Sequence, residues 1–514
     1  MSINTKSGKK KKALVFHPIL IGLYPVLALL SYNIIQLDPI YAVRAIMVTL
    51  LISFFVFALA LLITRERYKG GLLASLALLL FLTYGHVYNL LENKSYFGHH
   101  RFMIIIWLAL FGLGTWAIFN LKKKPRTFST FLNYFSVVLV AIPLFQIVYF
   151  EVSHTKSDLT PPANPAVDSV WQPQATAPAG SPDVYFIVMD AYSRSDILKN
   201  NWGYDNSQFL KELRDMGFYV VDCSKSNYSF TAASISSTLN MDYVDNFAPD
   251  IVKGNRSLYD LGEFIKHNKV RDLFSTLGYR FITFDTDIWW LDITDSDHFV
   301  SQYSSTWQRL LDFKMLDNFE SYYLNTTAMR IFKEFANSKQ NQLGKAFSSS
   351  EIAHYNRIQF TFDRLTELSK DTEPKLVYAH FVAPHYPFVF NPDGSYQYTV
   401  SNSPGYINEV QYMNQRMLEV INELIKESKT PPVIVLESDH GLSFDNRNAN
   451  FMAYYMPNHD YKEFYSTLTP VNSFRLVFNN YFGADYPLLP DVARYASYQS
   501  PNEYEIVDYP CMVQ

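Results

Sequence analysis

The sequence predicts a five-helix N-terminal transmembrane domain followed by an α/β domain, in which a mostly parallel sheet carries helices on both faces. Three observations lead to this prediction: five long apolar runs in the first 150 residues, a Pro-rich stretch after them, and alternating strand and helix patterns in the rest. At 514 residues the chain is long enough for both parts. A net charge of −4 is too mild to indicate nucleic-acid binding.

The five apolar runs are each about 20 residues or longer, which is enough to cross a hydrocarbon core of about 30 Å. The first run is too long for a cleavable signal peptide, has no clear small-residue cleavage site and is followed at once by another run. The predicted spans are Leu14–Leu37, Ile40–Thr64, Leu72–Leu91, Phe102–Leu121 and Phe131–Phe150.

The distribution of basic residues predicts the orientation of these spans. One side of the membrane carries the N-terminal tail and two loops, which contain Lys6, Lys9–Lys12, Arg65, Arg67, Lys69, Lys122–Lys124 and Arg126. The opposite loops contain only Arg44, Lys94 and Arg101. The tail is therefore predicted to be cytoplasmic, and everything after Phe150 extracytoplasmic. The alternative, a fully buried helical core, would make this charge alternation a coincidence.

The predicted domain boundaries follow from composition. Residues 1–13 form a basic cytoplasmic tail, 14–150 the transmembrane helices, 151–181 a Pro-rich linker, and 182–514 the extracytoplasmic domain. The stretch 155–182 contains six prolines, a composition typical of an extended tether. With only two cysteines, Cys223 and Cys511, the sequence predicts neither a disulfide framework nor a CxxC zinc module, and it leaves the redox compartment open.

Strand and helix patterns alternate after the linker, which favours a parallel sheet covered on both faces. Predicted helices lie at about residues 207–216, from Thr231 onward, and at about 351–369 and 407–426. The predicted strands are Val184–Met189, Phe218–Val221, Arg280–Phe284, Leu376–His380 and Val433–Leu436.

Polar residues follow three of these strands. Asp190 comes directly after the first strand, His380 ends a later one with His385 five residues on, and Asp439 and His440 follow the last. The carboxyl ends of parallel strands meet at one edge, where α/β proteins bind ligands. Carboxylates and imidazoles there suit zinc or manganese. An isolated Asp-His dipeptide is also typical of a surface turn, so the prediction depends on this convergence.

A hydroxyl group joins this set in the segment Ser226–Asn240, where Thr231 opens a run compatible with a helix. The N-terminus of a helix favours anions. A hydroxyl beside a divalent metal also loses its proton more easily and can act as a nucleophile. The alternative is a simple helix N-cap, formed by Thr231, Ser229 or Ser234.

The order Asp190, Thr231, PHYP with His385, and SDHG with Asp439 and His440 resembles the alkaline phosphatase/sulfatase superfamily. The five spans make it similar to the membrane-anchored lipoteichoic acid synthases and phosphoethanolamine transferases, and the segment 469–489 is also typical of sulfatase-like proteins. The resemblance implies that Asp190, Asp439 and His440 bind a metal. It also implies that Thr231 is the nucleophile and touches the metal, and that His385 contacts the substrate's phosphate.

The chain departs from the pattern of these families in two places. Asp190 stands where lipoteichoic acid synthases have glutamate, and the Cys-x-Pro-x-Arg signature of sulfatases is missing, so no formylglycine nucleophile can form at Thr231. A second metal site is left open, with His380, Asp285 and Asp287 as candidates. Two further cations, Arg194 and Arg447, could hold an anion or form structural ion pairs.

The resemblance implies a multi-pass protein of the plasma (inner) membrane. It would be a hydrolase or transferase that needs one divalent metal ion, Mn²⁺ or Zn²⁺, and acts on a phosphodiester of an envelope lipid head group or polymer through a covalent threonine intermediate. The alternatives are a sulfuric ester hydrolase, a catalytically degenerate polymer-binding protein, and a transporter or receptor. The sequence leaves the transferred group, the acceptor and the oligomeric state open.

Overall fold

A computed structural model of the chain describes residues 14–34, 37, 39–92, 99–121, 125–153, 167, 169–171, 173, 177, 180–254, 257–305, 308, 316–337, 349–397, 403–497 and 500–511. The predicted cytoplasmic tail and most of the predicted linker lie outside these residues.

The helices are α1 His17–Tyr32, α2 Ala42–Thr64, α3 Arg67–Leu91, α4 His100–Asn120, α5 Pro125–Ser153, α6 Ser195–Trp202, α7 Ser207–Asp215, α8 Thr231–Asn240, α9 Val244–Phe247, α10 Pro249–Val252, α11 Leu261–Lys266, α12 Lys269–Thr276, α13 Asn318–Thr326, α14 Met329–Asn337, α15 Ser349–Glu367, α16 Ser403–Glu427 and α17 Ser473–Phe482.

The strands of the described residues number nine and form two sheets. They are β1 Val184–Met189, β2 Tyr219–Val220, β3 Arg280–Phe284, β4 His298–Val300, β5 Lys375–Phe381, β6 Val433–Glu437, β7 Met452–Tyr455, β8 Ala493–Tyr495 and β9 Glu505–Val507.

The chain divides into two compact units. Unit 1 comprises Met1–Thr155 and Thr306–Ser350, and unit 2 comprises Lys156–Ser305 and Glu351–Gln514. Residues 306–350 therefore group by contact with the N-terminal helices, although the sequence offered no sign of this. The predicted boundaries between tail, spans, linker and soluble domain stay predictions.

Among its described residues, unit 1 contains four helical segments long and apolar enough to cross a membrane. They are Pro39–Thr64 (α2 with the 3₁₀ turn before it), α3, α4 and the α5 segment Pro125–Val152. Their outward faces expose large apolar side chains such as Leu62, Leu108 and Phe145, which are 75, 65 and 69% exposed. The remaining predicted span, Leu14–Leu37, corresponds to α1, an apolar helix of only 16 residues. Four of the five predicted spans thus have the length that a crossing requires.

Unit 2 is built on a seven-stranded sheet with the order β2-β7-β6-β1-β5-β3-β4. The five strands from β6 to β4 are parallel, while β7 pairs antiparallel with both β6 and β2. The mostly parallel sheet predicted from the sequence is therefore confirmed. The antiparallel strand β7 and the short strand β4 were not predicted.

The central strand β1 is buried on both faces, as its unbroken apolar run predicts. Val184, Phe186 and Val188 pack in one hydrophobic cluster, and Tyr185, Ile187 and Met189 pack in another. Because successive side chains of a strand point to opposite faces, these clusters are the cores on the two sides of the sheet. Helices α8, α11, α12 and α17 cover the first face, and α7, α15 and α16 cover the second.

The two cysteines form a disulfide, Cys223–Cys511, across a sequence separation of 288 residues. It ties the C-terminal segment after β9 to the loop that follows β2. An ion pair of 2.6 Å between Lys225 and Asp508 lies beside it. The sequence analysis did not predict this pairing, because two cysteines at such a distance carry no spacing signal.

Candidate active site

The site lies at the carboxyl edge of the three central strands β6, β1 and β5. Val188 of β1 pairs in register with His380 of β5 and with Glu437 of β6. Asp190 and Asp439, which come two residues after Val188 and Glu437, therefore reach the same edge as His380. The backbone N–H of Asp190 donates to the carbonyl of Phe381 over 2.9 Å and fixes its position at the end of β1.

Three of these side chains form a compact group of potential metal ligands. One ligand atom from each of Asp190, His380 and Asp439 lies within 4.8 Å of the others. His380 Nε2 is 3.4 Å from Asp190 Oδ2. All three residues are at most 3% exposed. Among the described residues this is the one such group, so His380 joins the site although the sequence analysis gave it only as a loose candidate.

His440 adds a second imidazole to this group. Its Nε2 lies 3.3 Å from Asp439 Oδ2 and 3.8 Å from Asp190 Oδ1. Arg447 approaches the same nitrogen at 2.9 Å, and since a guanidinium can only donate, Nε2 must accept. The proton therefore lies on Nδ1, which is 3.1 Å from the carbonyl of Gly441. A neutral imidazole whose Nε2 carries the lone pair is the form in which histidine binds metals, and a metal ion at this nitrogen would take the place of the hydrogen bond from Arg447.

Thr231 is the first residue of α8 and faces His440, with 3.2 Å between Thr231 Oγ1 and His440 Nε2. The turn before it is held from two sides. Arg447 Nε donates to the carbonyl of Ser229, and the Ser229 hydroxyl and the Ala496 backbone exchange hydrogen bonds of 3.2 and 3.0 Å. The hydroxyl thus lies at a helix N-terminus whose first N–H groups have no partner within the helix, an environment that favours an anion.

His385 lies at the mouth of the site, in the loop that follows β5. Its ring centroid is 6.5 Å from that of His440, and its Nδ1 is 2.8 Å from the carbonyl of Tyr386. Like Thr231, and unlike the buried Asp190, His380, Asp439 and His440, it is partly exposed. His385 can therefore meet a group that enters from solvent.

Burial and mutual charge shift the pKa values in this group. Burial and the charge of Asp190 raise the pKa of Asp439 to about 6. Burial also acts to raise the pKa of Asp190, but His385, His380 and His440 together bring it below its usual range. Burial and the nearby Arg447 hold the pKa of His440 well below its usual value. Two carboxyl groups of one buried site thus differ in their affinity for a proton, as carboxyl groups in close proximity do.

The site fits a divalent metal ion. Asp190 Oδ1 and Asp439 Oδ2 are buried, and neither has a hydrogen-bond donor among the described residues. Buried polar atoms without a partner are rare in proteins and costly, so two such carboxylate oxygens in one group suit a bound cation. Carboxylate oxygens and neutral imidazole nitrogens are the donor set that Zn²⁺ or Mn²⁺ prefers.

The structure brings together all five predicted site residues, with four at the centre and His385 at the mouth; their roles stay predictions. Arg447, one of the two candidate anion-binding cations, contacts His440 and the carbonyl of Ser229 within the site. Three other candidates lie in ion pairs. Asp287 and Asp285 contact Arg357, at 2.9 and 3.8 Å, and Arg194 contacts Asp196 at 2.7 Å. The second metal site that the sequence left open has no counterpart at these aspartates in the described part of the chain.

One buried histidine beside the site was missed. His354 on α15 is 7% exposed, and its Nε2 has no hydrogen-bond partner among the described residues. Burial and the charges of Arg357 and His385 lower the pKa of His354 to about 3. The sequence carries no signal for it, because a histidine on an amphipathic helix is ordinarily part of the packed face.

Comparisons with known proteins relate the chain to one family of enzymes by its sequence. A model of the Sulfatase family matches residues 182–471, more than half of the chain. A search of curated proteins found no match. Similar solved structures include the C-terminal periplasmic domain of EptC from Escherichia coli, with 11% identity and a TM-score of 0.41, covering 65% of this chain and 93% of that one.

Two further structures are similar over different shares of the chain. The integral membrane lipooligosaccharide phosphoethanolamine transferase A (EptA) from Neisseria meningitidis has 12% identity and a TM-score of 0.37, covering 90% of this chain and 95% of that one. The lipoteichoic acid synthase LtaP from Listeria monocytogenes has 13% identity and a TM-score of 0.37, covering 62% and 78%. On the match of the family model to residues 182–471, the chain belongs to the sulfatase family.

Proposed function

We propose that this protein is a membrane-anchored, metal-dependent phosphoryl transferase or hydrolase that acts on a phosphodiester through a covalent intermediate on Thr231. The observation that carries the proposal is the position of the Thr231 hydroxyl, 3.2 Å from His440 Nε2. The same nitrogen lies 3.3 Å from Asp439 Oδ2 and 3.8 Å from Asp190 Oδ1, two buried carboxylate oxygens that have no hydrogen-bond partner among the described residues. In a family named for sulfate esters, a threonine without the Cys-x-Pro-x-Arg signature favours phosphate over sulfate.

Asp190, Asp439, His440 and the Thr231 oxygen would hold one divalent ion, Mn²⁺ or Zn²⁺, and His380 lies close enough to contribute. Such an ion would lower the pKa of the Thr231 hydroxyl and neutralise charge on the phosphoryl group. The remaining steps belong to the side chains of the chain itself.

In the first displacement the Thr231 oxygen attacks phosphorus, and the bond between phosphorus and the leaving alcohol breaks. His385, at the mouth of the site, donates a proton to the departing oxygen or stabilises its charge. In the second displacement water or another alcohol attacks the phosphothreonine, the bond to Thr231 breaks and the hydroxyl is restored. Water gives hydrolysis, and an alcohol gives transfer.

We further propose that α1 is a fifth membrane crossing, with the N-terminal tail cytoplasmic and unit 2 extracytoplasmic in the plasma (inner) membrane. The support is the charge asymmetry of the loops, whose basic residues gather on one side. A catalytic unit tethered outside the membrane suits a lipid head group or an envelope polymer as donor or acceptor.

The experiment uses the full-length protein in lipid nanodiscs with Mn²⁺ or Zn²⁺ and chromogenic phosphodiester, phosphomonoester and sulfate ester substrates. We expect turnover of the diester and a loss of roughly 10³-fold or more for Thr231→Ala, because the nucleophile is removed. The matched control Thr231→Ser keeps a hydroxyl and should keep measurable turnover. A Thr231→Ala variant with more than a tenth of the wild-type rate would contradict the covalent mechanism, and preferential turnover of the sulfate ester would favour a sulfatase.

A further inference from the structure

Residues 318–337 form a helical hairpin that belongs to unit 1, although they lie between β4 and α15 in the sequence. Helices α13 and α14 make up the hairpin, and the residues between them form its tip. It contacts α2, α3 and α4. The contacts lie on the side of the spans where α2 begins, α3 ends and α4 begins. With the orientation proposed above, this side is extracytoplasmic.

The first helix of the hairpin is fixed to α2 by buried polar contacts. Arg44, near the start of α2, makes a bidentate ion pair with Glu320, and its Nε–Oε1 distance is 2.5 Å. Asp317, which caps α13, lies 3.8 Å from the same guanidinium. Thr49 lies seven residues after the start of α2 at Ala42, and its hydroxyl is 3.2 Å from the Tyr323 hydroxyl. At 1.5 Å per residue, Tyr323 lies about 10 Å from the start of α2.

The tip of the hairpin reaches α3 at a similar depth. The N–H of Ala328 donates to the carbonyl of Phe81 over 2.9 Å, and Phe81 lies ten residues, or about 15 Å, before the end of α3 at Leu91. A Cβ at Gly85 would lie 2.2 Å from the carbonyl oxygen of Asn325. The missing side chain of Gly85 therefore lets the two backbones meet, as small residues do between helices in membranes.

The second helix is held by a charged and aromatic network at the helix ends. Arg330 is 3.0 Å from Glu92 and lies 4.4 Å above the ring of Tyr88. Glu334 contacts both Arg330 at 2.5 Å and His100 at 2.8 Å. These bonds set the rotation of α14 and hence which of its side chains point away from the helices α3 and α4.

The side chains left outside are aromatic. Phe332 and Phe335 of α14 are 55 and 59% exposed, and Tyr322 of α13 is 63% exposed. The hairpin begins at the helix ends and reaches about 10–15 Å along the spans, which are longer than the hydrocarbon core. Its exposed rings therefore lie at the level of a lipid leaflet. Aromatic side chains favour that interfacial depth.

We propose that the hairpin 318–337 is a re-entrant membrane element whose exposed aromatic face is covered by phospholipid of the extracytoplasmic leaflet. It is an addition to the spans predicted from the N-terminal sequence. The inference concerns membrane contact only and does not depend on the proposed chemistry, so either can fail without the other.

The test places single nitroxide labels on the full-length protein in vesicles of phosphatidylcholine and phosphatidylglycerol. Both native cysteines are paired with one another, so Phe332→Cys and Phe335→Cys give unique labelling sites. Leu108→Cys on α4 is the lipid-facing control, and Lys211→Cys on α7, with a side chain 67% exposed, is the aqueous control. Collisions with oxygen report lipid, and collisions with a water-soluble nickel chelate report solvent.

We expect the oxygen-to-nickel collision ratio at positions 332 and 335 to match that at 108 and to exceed that at 211 severalfold. Ratios like that at 211, or low collision rates with both reagents, would overturn the proposal. A second measurement leaves the chain unchanged: a phospholipid with a diazirine in its acyl chain is photolysed with the wild-type protein. Adducts on the peptide that contains Phe332 and Phe335 are expected, and their absence beside adducts on α4 would also overturn it.

Discussion

Buried charges are treated in opposite ways in the two units. In unit 1, Arg44 is 5% exposed and Glu320 is 6% exposed, and the two neutralise each other through a bidentate pair. In unit 2, Asp190 and Asp439 are equally buried, yet each keeps an oxygen without a hydrogen-bond donor among the described residues. The partner of a paired buried charge offsets the cost of its burial, whereas an unpaired buried charge costs stability until a ligand arrives.

This difference separates structure from function within one chain. A closed ion pair such as Arg44 with Glu320 leaves nothing for a ligand to bind. Two carboxylates held side by side destabilise the site, and proteins keep such arrangements where chemistry requires them. The substitutions below should therefore change stability in opposite directions in the two units.

The largest effect on activity is expected for Asp439→Asn. The amide removes the negative charge that a metal ion requires, so the several kcal/mol that the ion contributes to the transition state are lost, and the rate falls roughly 10³-fold. The measurement is the rate on the phosphodiester together with the metal content of the purified protein. Full metal occupancy in this variant would show that Asp439 is not a ligand.

The same variant should be more stable than the wild type in the presence of a chelator. Burial and Asp190 raise the pKa of Asp439 to about 6, so the folded state prefers the protonated form. The stability of the metal-free wild type should therefore fall as the pH rises from about 4 to about 6. Asp439→Asn has no carboxyl group at this position and should not lose this stability. Melting curves with chelator at pH 8 compare the two; a lower melting temperature for the variant would count against the unpaired-charge account.

The opposite change in stability is expected for Arg44→Met in unit 1. Removal of one partner leaves Glu320 buried and unpaired, which costs about 3–5 kcal/mol. The double variant Arg44→Met with Glu320→Gln should recover much of this loss. The matched surface control is Arg214→Gln, whose pair with Asp222 is 45 and 44% exposed and contributes only about 0–1 kcal/mol. Equal melting temperatures for the Arg44 and Arg214 variants would refute the contrast.

The smallest effect concerns Asp292 in unit 2. Burial and the charge of Asp285 raise the pKa of Asp292 to about 7, and its Oδ1 accepts from the backbone and hydroxyl of Thr286 at 2.8 and 2.7 Å. Because this pKa is raised, stability is fully present below about pH 4 and falls as the pH rises to about 7.

Asp292→Asn keeps the acceptor oxygen but cannot ionise. The melting temperature of the variant minus that of the wild type should therefore increase as the pH rises from 4 to 7. The control is Asp215→Asn, where the side chain is 61% exposed. A constant difference between Asp292→Asn and wild type across this range would mean that Asp292 is ionised in the folded state.

The sequence predicts the centre of the sheet and the candidate site because both depend on local signals. The apolar runs Val184–Met189, Leu376–Ala379 and Val433–Leu436 require burial on both faces, and the polar residues that follow these runs must then share an edge. His354 gives no such signal, since it lies within a helix and reaches the site only through packing.

Long-range pairings are likewise invisible in a single sequence. The disulfide Cys223–Cys511 and the contacts of Arg44 with Glu320 join residues 288 and 276 positions apart. The hairpin 318–337 consists of two nine-residue helices, far shorter than the run of about 20 apolar residues that marks a membrane span. Its place in unit 1 could be found only from the fold.

The most direct test of the central claim is the intact mass of the full-length protein, quenched with acid during turnover of a phosphodiester. The account predicts a species heavier by the phosphoryl group of the substrate, with the added mass on Thr231 in the fragment spectrum and lost in Thr231→Ala. An adduct on another residue would contradict the covalent mechanism on Thr231. So would the absence of any adduct during turnover, if Thr231→Ala turned over the substrate at the wild-type rate.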